Sequence, residues 1–187
     1  MALEIECKYR VESHEPIRRA LADAGASCDG RFRETNHIYD TPESTLRSAG
    51  CGLRLRIWEP ESGGASITEL TYKGPIQPGS MKTREEQEVT VSDAEQMQAI
   101  LGSLGFVEVL RYRKSRERWR LDDCRIELDD VPLLGTFVEI EGPTESTIRQ
   151  AATRLELPRN STVKDTYIPM LLEACRQGHL DPLTLGR

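Results

Sequence analysis

No run of about 18 apolar residues occurs anywhere in the 187-residue chain, so no helical membrane span is expected. A basic surplus is missing as well. Lysine and arginine total 25 against 31 acidic residues, a net charge of −6, which argues against a general nucleic-acid binder. Charge begins at Glu4, and no signal-like apolar region accompanies it. The five cysteines (Cys7, Cys28, Cys51, Cys124 and Cys175) form no CxxC pair. Scattered and odd in number, they suit reduced thiols in a cytoplasm better than a disulfide frame or a zinc site. No low-complexity linker interrupts the chain, and one domain spanning 1–187 is expected. Histidine is scarce too: His37 reads as a core or rim residue, His14 and His179 as surface residues.

What the chain does have is alternation. Apolar spacing predicts four helices. One covers "EPIRRALADAGA", with Pro16 near its start and Gly25 near its stop. A second opens on Ser92 with Glu95 three residues on, a capping-box spacing, and ends at Gly105. A third runs from about Glu145 to Leu155, with Ile148, Ala151, Ala152 and Leu155 inward. The fourth runs from about Asp165 to Arg176, with Ile168, Leu171, Leu172 and Cys175 inward and Pro169 in its first turn. Strands are expected around the opening segment and at 35–40, 51–58, 66–74, 83–91, 111–121, 123–130 and 136–142, with a hairpin connection at "PESGG" and a tight turn at "LDD". The helix-to-strand passages "AGAS" and "LGFV" hint at two related halves.

In a strand, residues i, i+2 and i+4 share a face. "EIECK" therefore sets Glu4, Glu6 and Lys8 against Leu3, Ile5, Cys7 and Tyr9. The pattern recurs with Arg54 and Arg56, then Glu69, Thr71 and Lys73, then Arg84, Glu86 and Glu88. It continues with Lys114, Arg116, Arg118 and Arg120, with Arg125, Glu127 and Asp129, and with Glu139 and Glu141. A lone strand of this kind is a solvated face. So many, beside helices that must cover the apolar face, predict a sheet closed on itself with its charged face lining a lumen. Carboxylates on alternate residues, ~6.5–7 Å apart, repel by roughly 2–3 kcal/mol at an effective dielectric of 20. They call for cations, and hard divalent metals suit oxygen donors. The lysines and arginines suit an anion rich in oxygens, such as a polyphosphate. An internal salt-bridge network is the alternative.

These segments resemble the CYTH superfamily, the triphosphate tunnel metalloenzymes. "EIECK" is similar to the family's ExExK signature, and "NHIYDTP", "GLRLR", "YKGP", "REEQE", "RKSR", "ELDDVPLLGTFVEIEG" and "VKDTYIPMLL" follow in family order, over residues 3 to about 175. Residues 176–187 form an extension, and from Gln177 onward no counterpart is assigned. The resemblance implies an α+β fold: an eight-stranded antiparallel β-barrel tunnel with a polar, charged lumen and helices packed outside. It implies Mg²⁺ or Mn²⁺ held by Glu4, Glu6, Asp129, Glu139 and Glu141. Triphosphate would be bound by Lys8, Arg54, Arg56, Lys73, Arg84, Lys114 and Arg116, with Lys8, Arg56 and Lys73 catalytic. Arg84 and Glu86 match the fifth-strand motif. The tail, with Thr166–Tyr167, and the "LDDVPLLGTFVEIE" run look like the class IV adenylyl cyclase branch. That branch implies conversion of ATP to cyclic AMP and pyrophosphate without a histidine base. The complete pair Glu139 and Glu141 is also typical of triphosphatase members, so hydrolysis of inorganic, nucleoside or thiamine triphosphate stands beside it. A non-catalytic polyphosphate or nucleotide sensor is a third reading. The partner expected is ATP or another triphosphate, with no nucleic acid or membrane; an exposed terminal helix could support a homodimer.

Overall fold

The computed structural model describes residues 2–185, so Met1, Gly186 and Arg187 of the expected domain lie outside the described residues. Eight strands make the wall: β1 (Ala2–Arg10), β2 (Ser27–Asp40), β3 (Gly52–Pro60), β4 (Ile67–Lys73), β5 (Lys82–Val91), β6 (Val107–Leu121), β7 (Cys124–Val131) and β8 (Gly135–Glu141). All pairings between them are antiparallel, in the order β5-β4-β3-β2-β6-β7-β8-β1, and β1 also pairs with β5. That last pairing closes the ring, as the alternation predicts. A short β9 (Thr162–Val163) adds to β1. No helix of the described residues is long and apolar enough to cross a membrane.

Two strands are far longer than expected. β2 begins at Ser27 rather than residue 35, and β6 at Val107 rather than 111. Their long ladder includes irregularities between Cys28 and Gly30 and between Ile38 and Tyr39. The early half of β2 is largely exposed, so it lacks the apolar alternation by which a half-buried strand is recognised.

The helices are α1 (Glu15–Asp23), α2 (Thr45–Ser48), α3 (Ala94–Ser103), α4 (Glu145–Arg154) and α5 (Tyr167–Gly178). α3 is capped by Asp93, whose side chain accepts from the Gln96 N–H, and not by the expected Ser92. The carboxylate one residue on takes the site, where its charge also favours the positive helix end. α1 and α3 end alike. Gly25 and Gly105 adopt φ of 74° and 88°, and the next N–H in each case reaches back to Leu21 or Leu101. Each turn then feeds one of the two long strands, so the connectivity β1-α1-β2-β3-β4 is echoed by β5-α3-β6-β7-β8. The hint of two related halves is a property of the topology.

Outward faces of the wall are covered by helices. Ile126, Leu128, Val138 and Ile140 meet Ile17 and Leu21 of α1 and Ile148, Ala151, Ala152 and Leu155 of α4. Tyr39, Leu53 and Leu55 meet Leu101 of α3. Fully burying each leucine, isoleucine or valine among them contributes about 1.5–3 kcal/mol. α5 does something different: Tyr167, Leu171 and Cys175 pack on Ile38, Leu110, Tyr112, Val131 and Phe137. Ile38, Tyr112 and Phe137 fall on the same strand faces as the lumen charges, so α5 covers one end of the barrel. The segment after α5 stays on β6, where Arg111 and Arg113 N–H groups donate to Pro182 and Leu185 carbonyls. His14 is buried, its Nε2 3.0 Å from the Phe137 carbonyl oxygen, which corrects the surface expectation. A backbone acceptor from the wall compensates a side chain that sequence alone would leave in water. His37 is buried with Nδ1 2.7 Å from Glu108, and His179 is exposed.

Candidate active site

Ladder register sets which side chains share the lumen. Glu6 lies opposite Glu141, Lys8 opposite Glu139, Glu127 opposite Arg118, and Asp129 opposite Arg116. On the other side Glu34 lies opposite Trp58, Asn36 opposite Arg56, Arg54 opposite Thr71, Lys73 opposite Glu86, and Arg84 opposite Glu4. Every residue expected at the site sits on this inner face. Cations and carboxylates interleave on it, and among the described residues no acidic zone is set apart from a basic one.

The densest part is a buried knot on β1, β6, β7 and β8. Arg116 donates to both oxygens of Asp129 at 2.6 and 2.5 Å and to Glu139 at 2.6 Å, and pairs with Glu127. Lys114 lies 2.8 Å from Asp129, and Lys8 lies 3.3 Å from Glu139. Tyr167 donates its hydroxyl to Asp129 at 2.9 Å, and the Lys8 ammonium stands 3.7 Å from its ring centroid. Tyr167 is thus the residue by which α5 enters the lumen. Against burial, Lys8, Arg116 and Lys114 hold the Glu139 carboxyl well below its ordinary range. Burial and the charges of Asp129 and Glu139 push the Tyr167 hydroxyl well up.

A second group spans β1, β4 and β5. Lys73 lies 3.3 Å from Glu4 and also pairs with Glu86, while Arg84 lies 3.6 Å from Glu4. Glu6 pairs with Lys82. Burial, with the Glu139 charge adding, raises the proton affinity of Glu6 despite Lys82. Burial and the Glu86 carboxyl raise that of Glu4 despite Lys73. Glu141 stands apart with Arg125, toward the more exposed end.

Several lumen residues escaped the sequence reading. Glu34, fully buried, lies 3.2 Å from Arg116, 3.5 Å from Lys114 and 3.9 Å from Arg56, yet neither oxygen has a hydrogen bond. Lys82 and Glu34 each fall one residue outside the expected strands, which is why the period-2 test passed over them. Trp58 donates to Glu69 at 2.6 Å and stacks with Arg56 and Arg118 at 4.4 and 4.5 Å. The Nε atoms of Arg54, Arg56, Arg84 and Arg118 are buried without an acceptor. Such donors are costly unless something accepts from them.

Carboxylates are the right donors for a hard divalent cation, and burial raises the proton affinities of Glu4 and Glu6 more than their lysines lower them. Among the described residues no three acidic, cysteine or histidine side chains converge as a ready-made ion site. Lys8, Lys73 and Lys82 stand as their counterions instead. The set fits in kind, with Glu4, Glu6 and Glu139 the residues that could hold the ion once those ammonium groups turn to an anion. A buried ion-pair lumen is no more stable than an apolar one would be. Point charges and forked guanidiniums held out of bulk water are suited to a ligand with many anionic oxygens.

Comparison with known proteins agrees. The CYTH domain model matches residues 2–167. The chain is 32% identical over 139 residues to a provisionally named adenylate cyclase of Methanocaldococcus jannaschii, covering 74% of this chain and 76% of that one. It is 26% identical over 166 residues to the adenylate cyclase CyaB of Aeromonas hydrophila, covering 82% and 81%. Among solved structures it superposes with TM-score 0.66 and 18% identity on a Hippeastrum protein, provisionally an adenylyl cyclase, that shows a dominant triphosphatase activity, over 95% of this chain and 96% of that one. Together with the closed, charge-lined barrel, these matches establish that the chain belongs to the CYTH domain family.

Proposed function

We propose that the protein binds ATP in the lumen with Mg²⁺ or Mn²⁺ and converts it to cyclic AMP and pyrophosphate. The observation that carries this reading is the set of buried guanidinium donors without acceptors on Arg54, Arg56 and Arg84, beside the ammonium groups of Lys8, Lys73 and Lys114. A triphosphate supplies the acceptors they lack. In the reaction the ribose 3′-hydroxyl attacks the α-phosphorus, its proton leaves to solvent, and pyrophosphate departs. Phosphoryl chemistry of this kind asks mainly for positioning and charge neutralisation. Arg54, Arg56, Arg84, Lys114 and Arg116 hold the phosphate oxygens, and Lys8 and Lys73 move from carboxylate to phosphate. Glu4, Glu6 and Glu139 would then be the oxygen donors to the metal, with Asp129 and Glu141 completing the acidic set. When bound, the metal would supply a Lewis acid, able to acidify the hydroxyl and offset leaving-group charge.

The second reading is triphosphate hydrolysis, with water attacking the terminal phosphorus. The Hippeastrum neighbour's dominant triphosphatase activity favours it, as does the presence of both Glu139 and Glu141 on the lumen face. Incubation with ATP, and separately with inorganic triphosphate, each with Mg²⁺ and with Mn²⁺, separates the two. Cyclic AMP and pyrophosphate are expected from ATP. ADP and orthophosphate would replace the first reading by the second.

A further inference from the structure

Asn36 is the one neutral amide among the charged side chains of this stretch of the lumen. It lies on β2 on the same face as Glu34, opposite Arg56 on β3 and Tyr112 on β6. It is fully buried, and neither its Nδ2 nor its Oδ1 has a hydrogen-bond partner. Both halves of a buried amide without partners are expensive, so the position is kept for something the substrate-free protein does not supply. The Nδ2 donor could be met by a phosphate oxygen. The Oδ1 acceptor could not, because a triphosphate chain near neutral pH presents almost only acceptors. It needs a hydroxyl or an amine N–H.

We infer that Asn36 reads the organic part of the substrate, taking one hydrogen bond from a sugar hydroxyl or base N–H and giving one back, and so separates a nucleoside triphosphate from a bare polyphosphate. This rests on the lumen binding triphosphates as proposed above. The surroundings suit such a group. Arg56, across the ladder, carries a buried Nε without an acceptor, while Tyr112, Ile38 and Leu110 continue the wall beneath α5. The reading is of bifunctional hydrogen bonding, the property by which a side-chain amide recognises a base edge.

The test measures dissociation constants by calorimetry for α,β-methylene-ATP and for inorganic triphosphate, both with Mg²⁺, in wild type, Asn36→Leu and Asn36→Ala. Urea denaturation of the substrate-free proteins runs alongside. Nucleotide binding is expected to weaken about tenfold or more in both variants, the loss of a pair of hydrogen bonds. Triphosphate binding should stay within about twofold, and Asn36→Leu should be as stable as wild type or more so. Equal weakening of both ligands, or of neither, would overturn the inference. So would a marked loss of stability in Asn36→Leu together with unchanged ligand discrimination in Asn36→Ala, which would make the amide structural. A wild type that binds neither ligand overturns the triphosphate reading itself and this inference with it.

Discussion

Replacing Arg116 by Met removes the hub of the buried knot while keeping a side chain of comparable length. Arg116 contacts Asp129, Glu139, Glu127 and Glu34, and is itself buried. Taking one partner from a buried ion pair costs about 3–5 kcal/mol, because the charges left behind are uncompensated. For a chain of this size that lowers Tm by about 6–20 °C. The pH dependence is the sharper check. In wild type Glu34, Glu127 and Glu139 are held low despite burial, chiefly by Arg116, Lys114, Arg125 and Lys8. Their contribution is therefore fully present above the unfolded carboxyl value and is lost as pH falls through the folded values. Without Arg116 burial is opposed only by the remaining cations, and the folded values rise. The variant's penalty is then greatest near pH 7 and shrinks as pH falls toward 4. Urea denaturation of both proteins at pH 7, 6, 5 and 4, at constant ionic strength, reads the difference directly. A difference below about 1 kcal/mol at pH 7, or one constant across the range, would mean that these carboxylates are solvated and that the lumen is not the low-dielectric site described.

Two further outcomes test other parts of the molecule. A Cβ on Gly142 would come within 2.9 Å of Cys124 Sγ and 3.1 Å of Ile148, so Gly142→Ala should cost about 1–3 kcal/mol in denaturant titration, and a neutral result would mean that α4 does not seat closely on β8. Glu108, held down to about 2 by His37 and Arg111 against burial, should stabilise the fold fully above the ordinary carboxyl value and lose that contribution as pH falls toward 2. Glu108→Gln should therefore be destabilised at pH 6 and approach wild type near pH 2.5, as followed by circular dichroism; an equal deficit at both would sink the assignment.

The barrel was legible because a strand buried on one face and charged on the other writes itself as a period of two. Glu4–Glu6–Lys8 and Arg54–Arg56 needed nothing more. Strand ends were not legible where the periodicity stops being enforced: the first half of β2 pairs with β6 in solvent, and nothing selects apolar residues there. Glu34 and Lys82 were lost at those blurred ends. Partnerships were beyond the sequence for a different reason. Whether Glu6 meets Lys82 or a metal depends on ladders between strands far apart in the chain. Tyr167 belongs to a helix whose stripe, from Ile168 to Cys175, reads as a covering for the wall, yet the residue just before that stripe reaches into the lumen. His14 shows the limit most simply, since one carbonyl from β8 buries it.

The double pairing of β1 governs the order in which the molecule can be built. Residues 2–6 pair with β5 and residues 6–10 with β8, so the ring stays open until β1 has met a strand seven places later in the order. Contacts so distant in sequence are slow to form, because loop entropy must be lost before they return anything. Hairpins such as β3–β4 and β7–β8, with α4 on the latter, can assemble from local contacts meanwhile. During synthesis Glu4, Glu6 and Lys8 therefore wait in water, and their charge protects an unpaired edge from joining another chain. The channel closes only with that pairing, and until then its ionic lining keeps charge on the open edge.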